Sequence, residues 1–399
     1  MKTLNEADRI GLAGKKILLR VDFNIPIENG IIQDDTKIKD SIPTIRYLKD
    51  RKASVILCSH IVSSEGPASL KPVADHLSDL MKLSVKFCPS CAGPEATNIV
   101  SKMHPGDVLL LENIRSVPSE EENTDQFAKK MASMADVYVN DAFSVSHRKH
   151  TSIVGIPRYL PAYAGLFLQE TLLELNRHIK NPTRPLMAIV GGKKVSSKLK
   201  LLQSLAMEVD TLCVAGAMVN TFLVAQGVSI GQSLFEPDLL DTAKCVTETA
   251  KHNACKLILP SDVVLDDGRT VSVNNIGDGN MIMDIGEHSV AEILNCAKQH
   301  KTVWWNGPLG KFEVASFDVG TKCLAKGLAD AAKNLGVRVI AGGGDTVHAL
   351  KKAGVDSKDY TYVSTAGGAF LEFIQDLTLP GIEALESAQP QSATKIAWA

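Results

Sequence analysis

Short apolar runs rich in Val, Ile and Leu alternate with segments of helical period along the whole chain. In the first half the runs fall at 17–23, 55–58, 108–111 and 137–139; in the second at 186–190, 212–214, 257–259, 303–305, 337–340 and 360–363. Runs this short, apolar at successive rather than alternate positions, predict strands buried on both faces, as in a parallel sheet covered by helices. Between them, 43–52, 70–81, 94–103 and 124–134 predict helices, with Pro43 and Pro94 suited to a first turn, where a missing N–H breaks no helical bond. The alternation predicts βα units. Near the middle, 164–180 carries a longer amphipathic pattern (Leu168, Leu172, Leu173, Leu175, Ile179) that ends at Asn181-Pro182-Thr183-Arg184-Pro185. The expected organisation is a first domain over 1–165, an interdomain helix and hinge over 166–185, a second domain over 186–378 and a tail over 379–399. The predicted class is α/β: two doubly wound domains, each a mainly parallel β-sheet flanked by helices, joined by a central hinge helix. The tail, ending Ile396-Ala397-Trp398-Ala399, is expected to pack as a final helix or arm.

A chain of 399 residues exceeds what one core usually supports, in keeping with two domains. No segment approaches the roughly 20 apolar residues of a spanning helix, so no membrane association is expected. A net charge of −2 gives no global field for nucleic acid, and any anion site must be a local cluster of cations. The first eight residues carry acids and no apolar stretch of the secretory kind, so the expectation is a cytoplasmic protein. Its eight cysteines are scattered among apolar neighbours, and no disulfide is expected. Cys88-Pro89-Ser90-Cys91 lacks a second Cys/His pair for zinc and reads as an ordinary pair at a strand-to-helix turn rather than a redox switch.

The polar motifs lie at or just past the predicted strand ends, which is where ligands collect in open α/β sheets. In the first half, Asp22 and Asn24 end the first strand, His60 the second, Arg115 follows the third, and Asp141, His147 and Arg148 follow the fourth. Taken singly, each has a plainer reading: Asp22 with Arg115 or Arg148 as a structural ion-pair network, His60 as a satisfied core histidine. Their shared placement favours a cleft for a phosphorylated hydroxy acid. His147 and His150 have helical spacing for a metal but no third ligand nearby. In the second half, Gly191-Gly192 is followed by Lys193, Lys194 and Lys198, and Gly342-Gly343-Gly344 by Asp345 and Thr346. Glycines, cations and a helix N-terminus together suit phosphate, and Asp345 suits Mg²⁺. Gly367-Gly368 reads equally well as helix–strand packing or as a ligand loop. Neither the P-loop nor the dinucleotide fingerprint is present, nor are the G-x-S-x-G and H-E-x-x-H motifs.

In order along the chain stand the segments R-V-D-F-N-I-P, D-D-T-K-I, L-K-P-V-A, L-L-L-E-N-I-R, Y-V-N-D-A-F, the H-R-x-H pair, V-G-G-x-K-V-S-S-K, W-N-G-P-L-G-x-F-E, G-G-G-D-T and V-S-T-A-G-G-A, in a stretch of resemblance that runs from about Arg20 to Ile382. Together they resemble the 3-phosphoglycerate kinase family. The resemblance implies reversible phosphoryl transfer between MgATP and the carboxylate of 3-phosphoglycerate, giving ADP and 1,3-bisphosphoglycerate in glycolysis, with ATP/ADP and Mg²⁺ as cofactors. It implies a cytoplasmic monomer that handles small molecules. By resemblance, Asp22, Phe23, Asn24, Lys37, His60, Ile61, Val62, Ser63, Arg115 and Arg148 form the phosphoglycerate site, and Lys194, Lys37 and Arg148 are catalytic. Lys198, Asn306, Glu313, Gly342, Gly343, Gly344, Asp345 and Thr346 form the nucleotide site, with Glu313 on the ribose, Asp345 carrying Mg²⁺ and the 215–217 loop beside adenine. The acceptor carboxylate is already nucleophilic, so alignment and charge neutralisation are the expected work, with the hinge at about 163–185.

Five segments depart from the family pattern. Lys37 stands where an arginine is usual, which keeps charge but loses the planar fork. In Ser59-His60-Ile61-Val62-Ser63-Ser64 a substrate-side arginine is replaced by Ser63; Ser144-Val145 replaces a usual Gly-Thr; Lys193 replaces a small residue; Ala366 stands where a glycine run usually begins. Lys193 and Lys149 are the cations placed by position to restore charge. The alternative left open is a catalytically impaired relative with a ligand-binding or regulatory role.

Overall fold

The computed structural model describes residues 1–28, 30–62 and 68–388. They divide into two compact units: Met1–Leu173 together with the segment beginning at Thr378, and Glu174–Leu377. Ser63 of the expected site and Ile396-Ala397-Trp398-Ala399 of the tail lie outside the described residues.

The first unit is built on β1 (Lys16–Arg20), β2 (Ser54–Cys58), β3 (Val85–Cys88), β4 (Val108–Leu111), β5 (Val137–Asn140) and β6 (Ala162–Ala164), in the spatial order β3-β4-β2-β1-β5-β6. Every pairing is parallel, with Leu18 opposite Ile56 on one side and Tyr138 on the other. Because side chains alternate across a strand, Ile17, Leu19, Val55, Leu57, Val137 and Val139 pack into one core with Ile45 and Leu48 of the helix Thr36–Asp50. Leu18, Ile56 and Tyr138 are buried on the opposite face. The sheet is therefore covered on both sides, as its unbroken apolar runs require.

The predicted run at 17–23 leaves the sheet after Arg20. Val21 still donates to Cys58 O, but the Phe23 amide is taken by the Ser59 hydroxyl at 2.8 Å and the Asn24 amide by Asp22 Oδ1 at 2.9 Å. Side chains thus replace ladder partners, and the strand becomes a loop at the sheet's carboxyl edge. The first helix also differs from expectation. It starts at Thr36, where the Asp34 carboxylate accepts both the Thr36 amide and hydroxyl, and Pro43 lies inside it. The earlier start matters, because it places Lys37 in the helix's first turn, facing that loop.

The second unit holds β7 (Leu186–Val190), β8 (Thr211–Val214), β9 (Lys256–Ile258), β10 (Thr302–Asn306), β11 (Arg338–Gly342) and β12 (Tyr362–Ser364), all parallel, in the order β9-β8-β7-β10-β11-β12. A three-stranded antiparallel sheet of Asp262–Leu265, Thr270–Ser272 and Ile282–Ile285, which short apolar runs did not announce, is added to it. Met187, Ile189, Val303, Trp305, Val339 and Ala341 form the core on one face with Leu324 and Leu328 of the helix Val319–Leu335.

The chain passes between units in the helix Leu166–Leu175, whose amide at Leu168 is capped by the buried Asp141 at 3.0 Å. Asp141 is thus a structural group and not part of a ligand cleft. Past the second unit, the helix Pro380–Ser387 packs on the first: the Gly381 amide donates to Ser146 O at 2.8 Å, and Lys2 Nζ to Ala388 O at 2.9 Å. All eight cysteines are free. Cys88 and Cys91 are buried, and burial pushes the Cys91 thiol up to about 11 and raises the Cys88 thiol too, which works against thiolate formation. Among the described residues no helix is long and apolar enough to cross a membrane.

Candidate active site

Each sheet has one place where the strand order reverses direction, and loops leaving its two strands diverge there to open a crevice. In the first unit that place lies between β1 and β5. The loop after β1 carries Asp22, which is 9% exposed. Its Oδ2 accepts Lys37 Nζ at 2.8 Å and the hydroxyl of Ser144, from the turn after β5; Lys37 Nζ also donates to Asn24 O at 3.0 Å. Burial alone would raise the Asp22 pKa, but the Lys37 charge and the hydrogen bonds from Lys37 and Ser144 reverse the sign and hold it at about 2. Asp22 is an ionised anchor and a poor base.

His60, 2% exposed, lies with Nδ1 3.9 Å from Asp22 Oδ1 and 3.3 Å from Nη2 of Arg20. Arginine only donates, so Nδ1 accepts and the proton sits on Nε2. Burial, then the charges of Arg20, Arg115 and Lys37, pull the His60 pKa down to about 2 against the pull of Asp22; the ring is neutral. Arg20 itself is fully buried, its Nε on Ser152 Oγ at 2.8 Å, and Ser152 in turn donates its hydroxyl and amide to the buried Glu120 at 2.6 and 2.9 Å.

Arg115 is half-buried, with Nε 3.4 Å from Glu121 Oε1. Burial and the fields of Arg20 and Arg148 oppose its charge while Glu121 favours it. His147 is held neutral, its pKa lowered to about 4 by burial and by Arg148. Lys37, Arg20, Arg115 and Arg148 therefore share one electropositive region with only part of their charge balanced, which is what a multiply charged anion requires. The neutral histidines among these cations are poor candidates for a metal, and no group of three or more His, Cys, Asp or Glu among the described residues could hold one.

Not every expected residue faces this region. Phe23 and Ile61, 0% and 4% exposed, belong to the apolar core, so only their backbones can serve a ligand. Asn24 Oδ1 accepts the Val62 amide at 3.0 Å, fixing the start of the loop that follows β2. Lys149 lines a separate cavity of about 600 Å³ with Tyr159 and Pro380.

In the second unit the order reverses between β7 and β10, and the site there is mostly backbone. The loops after these strands touch: a Cβ on Gly191 would lie 2.0 Å from Pro308 O, and one on Gly307, whose φ is 90°, would lie 2.3 Å from Gly191 O. Asn306 knits three strand ends, its backbone O accepting the Gly191 amide at 2.8 Å and its Nδ2 donating to Gly342 O at 2.6 Å, while its Oδ1 accepts Lys198 Nζ at 2.5 Å. Thr346, fully buried, accepts the Gly307 amide at 2.8 Å and donates to Gly342 O at 2.9 Å. Its hydroxyl is thus engaged inside the protein. Gly343 (φ 109°) and Gly344 open the helix Gly344–Ala353, leaving its first amides and Asp345 exposed at the N-terminus. Burial lowers the Lys198 pKa to about 8, and the Asp345 carboxylate opposes that shift. An exposed carboxylate whose field reaches the half-buried lysine fits Mg²⁺, which takes one or two protein carboxylates and the oxygens of a nucleotide. Lys194 is exposed on the loop after β7. Glu313 is exposed, its backbone O accepting Lys352 Nζ at 3.2 Å.

Two supporting residues were not anticipated. Glu236 accepts the Ser196 amide at 3.1 Å and hydroxyl at 2.5 Å, and so fixes the loop that carries Lys194 and Lys198. It is distant in sequence and carried no local signal. Arg20 did carry one: a charge inside an otherwise apolar strand must be partnered.

A family model described as phosphoglycerate kinase matches residues 7–376. The chain belongs to the phosphoglycerate kinase family. It is 46% identical to the phosphoglycerate kinase of Caulobacter vibrioides over 397 residues, covering 97% of this chain and 99% of that protein. It is 45% identical to that of Pelotomaculum thermopropionicum, covering 96% and 98%. Among solved structures, the phosphoglycerate kinase of Coxiella burnetii superposes with a TM-score of 0.84 at 36% identity over 96% of this chain and 99% of that one, and the enzyme of Pyrococcus horikoshii with 0.81 at 28% over 97% and 98%. Against the family pattern, two departures meet at one atom: Lys37 and Ser144 both donate to Asp22 Oδ2.

Proposed function

We propose that this chain transfers a phosphoryl group reversibly between MgATP and the carboxylate of 3-phosphoglycerate, the first unit holding the acid and the second the nucleotide. The observation that carries the reading is the pairing of two unlike anion sites, each at its sheet's switch point, in a chain that the family model matches across both.

The chemistry follows from the protonation states. The acceptor is a carboxylate, ionised at neutral pH, so no proton need be removed from it. Asp22, held at about 2, and the neutral His60 are correspondingly unsuited to proton abstraction. Their work is positional: Asp22 fixes Lys37, and His60 offers its Nε2–H to the substrate. Arg115 and Arg148 with Lys37 balance its phosphate and carboxylate charges. On the nucleotide side, the amides at the start of Gly344–Ala353 and Lys198 receive the phosphates, and Glu313 takes the ribose. Asp345 would hold Mg²⁺, which would supply neutralisation of phosphate charge there. Lys194, exposed on its loop, meets the transferring group as negative charge shifts onto it. Transfer brings the two substrates together with water excluded, and residues 163–185 are the hinge of this proposal. We place the reaction in the cytoplasm, in a monomer.

Lys37 keeps a cation at the phosphoglycerate site, which argues for an active enzyme. Steady-state turnover with MgATP and 3-phosphoglycerate, coupled to consumption of the acyl phosphate, tests this. Sustained turnover is expected; binding of both substrates without turnover would overturn the catalytic reading in favour of a binding protein.

A further inference from the structure

The Asp22 carboxylate is held from two directions. Lys37 reaches it from the helix Thr36–Asp50 and Ser144 from the turn after β5, and both donate to Oδ2. Oδ1 accepts the Asn24 amide at 2.9 Å and lies 3.9 Å from the neutral His60 ring. With both oxygens engaged, the carboxylate cannot rotate without breaking a bond in a place nearly closed to water. Lys37 is a point charge with three donors on a flexible stem, and lacks the rigid fork of an arginine. Two of those donors go to Asp22 Oδ2 and Asn24 O, leaving one.

The turn bearing Ser144 is itself fixed. The fully buried Asn140 accepts the Ala142 amide at 3.0 Å and donates to Ser146 Oγ at 3.2 Å. Ser146 is also fully buried, donates its hydroxyl to Ala142 O at 3.0 Å and accepts Gly381 N from the helix Pro380–Ser387. A hydroxyl presented from so constrained a turn can set the orientation of its partner.

We infer that Ser144 is a positioning residue of the phosphoglycerate site: its hydroxyl locks the Asp22 carboxylate in the orientation that holds the Lys37 ammonium on Asn24 O and turns its remaining N–H toward the bound acid. The inference rests on the assignment of this cleft to 3-phosphoglycerate. In a chain with lysine at position 37, Ser144 gives the carboxylate that anchors the flexible ammonium a second fixed donor on the same oxygen.

The experiment is a kinetic double-mutant cycle with Ser144→Ala and Lys37→Ala, with Ser144→Thr as the conservative variant. Ser144→Ala should raise the KM for 3-phosphoglycerate about five- to tenfold, the scale of one ordinary hydrogen bond, since Ser144 acts on the acid only through Asp22 and Lys37, and leave the KM for MgATP and the melting temperature unchanged. Ser144→Thr should restore the wild-type KM. Adding Ser144→Ala to Lys37→Ala should cost nothing further, because the group it positions is gone. Additive losses, or a lowered melting temperature with an unchanged KM, would overturn the inference. If Ser144→Ala is silent while Lys37→Ala raises the KM, the inference fails and the site assignment stands. If Lys37→Ala is silent as well, the site assignment falls and the inference with it.

Discussion

The two anion sites solve one problem with different materials. In the first unit, charge is supplied by side chains, with Lys37 bonded to Asp22 and Arg115 beside Glu121, while burial and neighbouring charges keep Asp22 ionised and His60 and His147 neutral. In the second, the framework is backbone, with Gly191, Gly307 and Gly343 admitting contacts that any Cβ would block, and Asn306 tying three strand ends together through Gly191 and Gly342. A side-chain site is sensitive to charge and tolerant of shape; a backbone site is the reverse. The two should therefore break in different ways.

The largest expected effect is at Lys194. If it acts on the transferring group alone, Lys194→Ala should lower kcat by about 10²–10³-fold with little change in either KM, as for loss of one donor to developing charge. Rapid kinetics over both substrates checks this, and a kcat loss below tenfold would contradict the assigned role. Next comes Gly343→Ala. With φ at 109° and a Cβ placed 2.6 Å from Asn306 Nδ2, backbone strain of about 1–3 kcal/mol should weaken MgADP binding by roughly 10- to 100-fold and leave 3-phosphoglycerate binding intact. Equal loss of both ligands would show that the sites are not separately built.

A smaller effect should follow pH. Lys198, at about 8 in the free protein, is cationic below that value and increasingly neutral above it. Phosphates favour the cation, so binding takes up a proton once the pH passes 8, and the Kd for MgADP should rise with pH by up to about tenfold per unit until the raised pKa of the complex is reached. Calorimetry from pH 7 to 10 measures this, with Lys198→Met expected to flatten the profile. Last is Asp40, which burial, then Asp34 and Glu170, push up to about 6, against the pull of Lys37. A folded-state pKa above the unfolded one means the folded protein binds the proton more tightly, so stability falls as pH rises from about 4 through 6. Asp40→Asn should raise the melting temperature at pH 7.5 by on the order of a degree or two, and the gain should vanish near pH 4.

The same contrast decides what could be read from the chain alone. The parallel sheets were legible, because strands buried on both faces are apolar at successive positions, as 186–190 is. The edge strands β3 and Ala162–Ala164 were not, the first because its apolar run is broken by the exposed Lys86, the second because it is only three residues long, though buried; nor was the inner Pro43, because Asp34 starts the helix earlier than proline suggested. The glycine loops were legible because their residues are neighbours in sequence. The side-chain site was only half legible. Asp22, His60 and Arg115 stand at strand ends as expected, yet what fixes them comes from afar: Ser144 is 122 positions from Asp22, and Glu236 is 40 from Ser196. Asp141 misled because a strand-end acid serves equally well as a helix cap. Phe23 and Ile61 carry motif positions whose side chains belong to the core.

The most direct test of two independent sites is a crossed calorimetric titration of 3-phosphoglycerate and MgADP into Lys37→Ala and Gly343→Ala. The account predicts that Lys37→Ala loses affinity for the acid alone and Gly343→Ala for the nucleotide alone, with both variants folded. Loss of both ligands by either variant, or weakened nucleotide binding from Lys37→Ala, would contradict it.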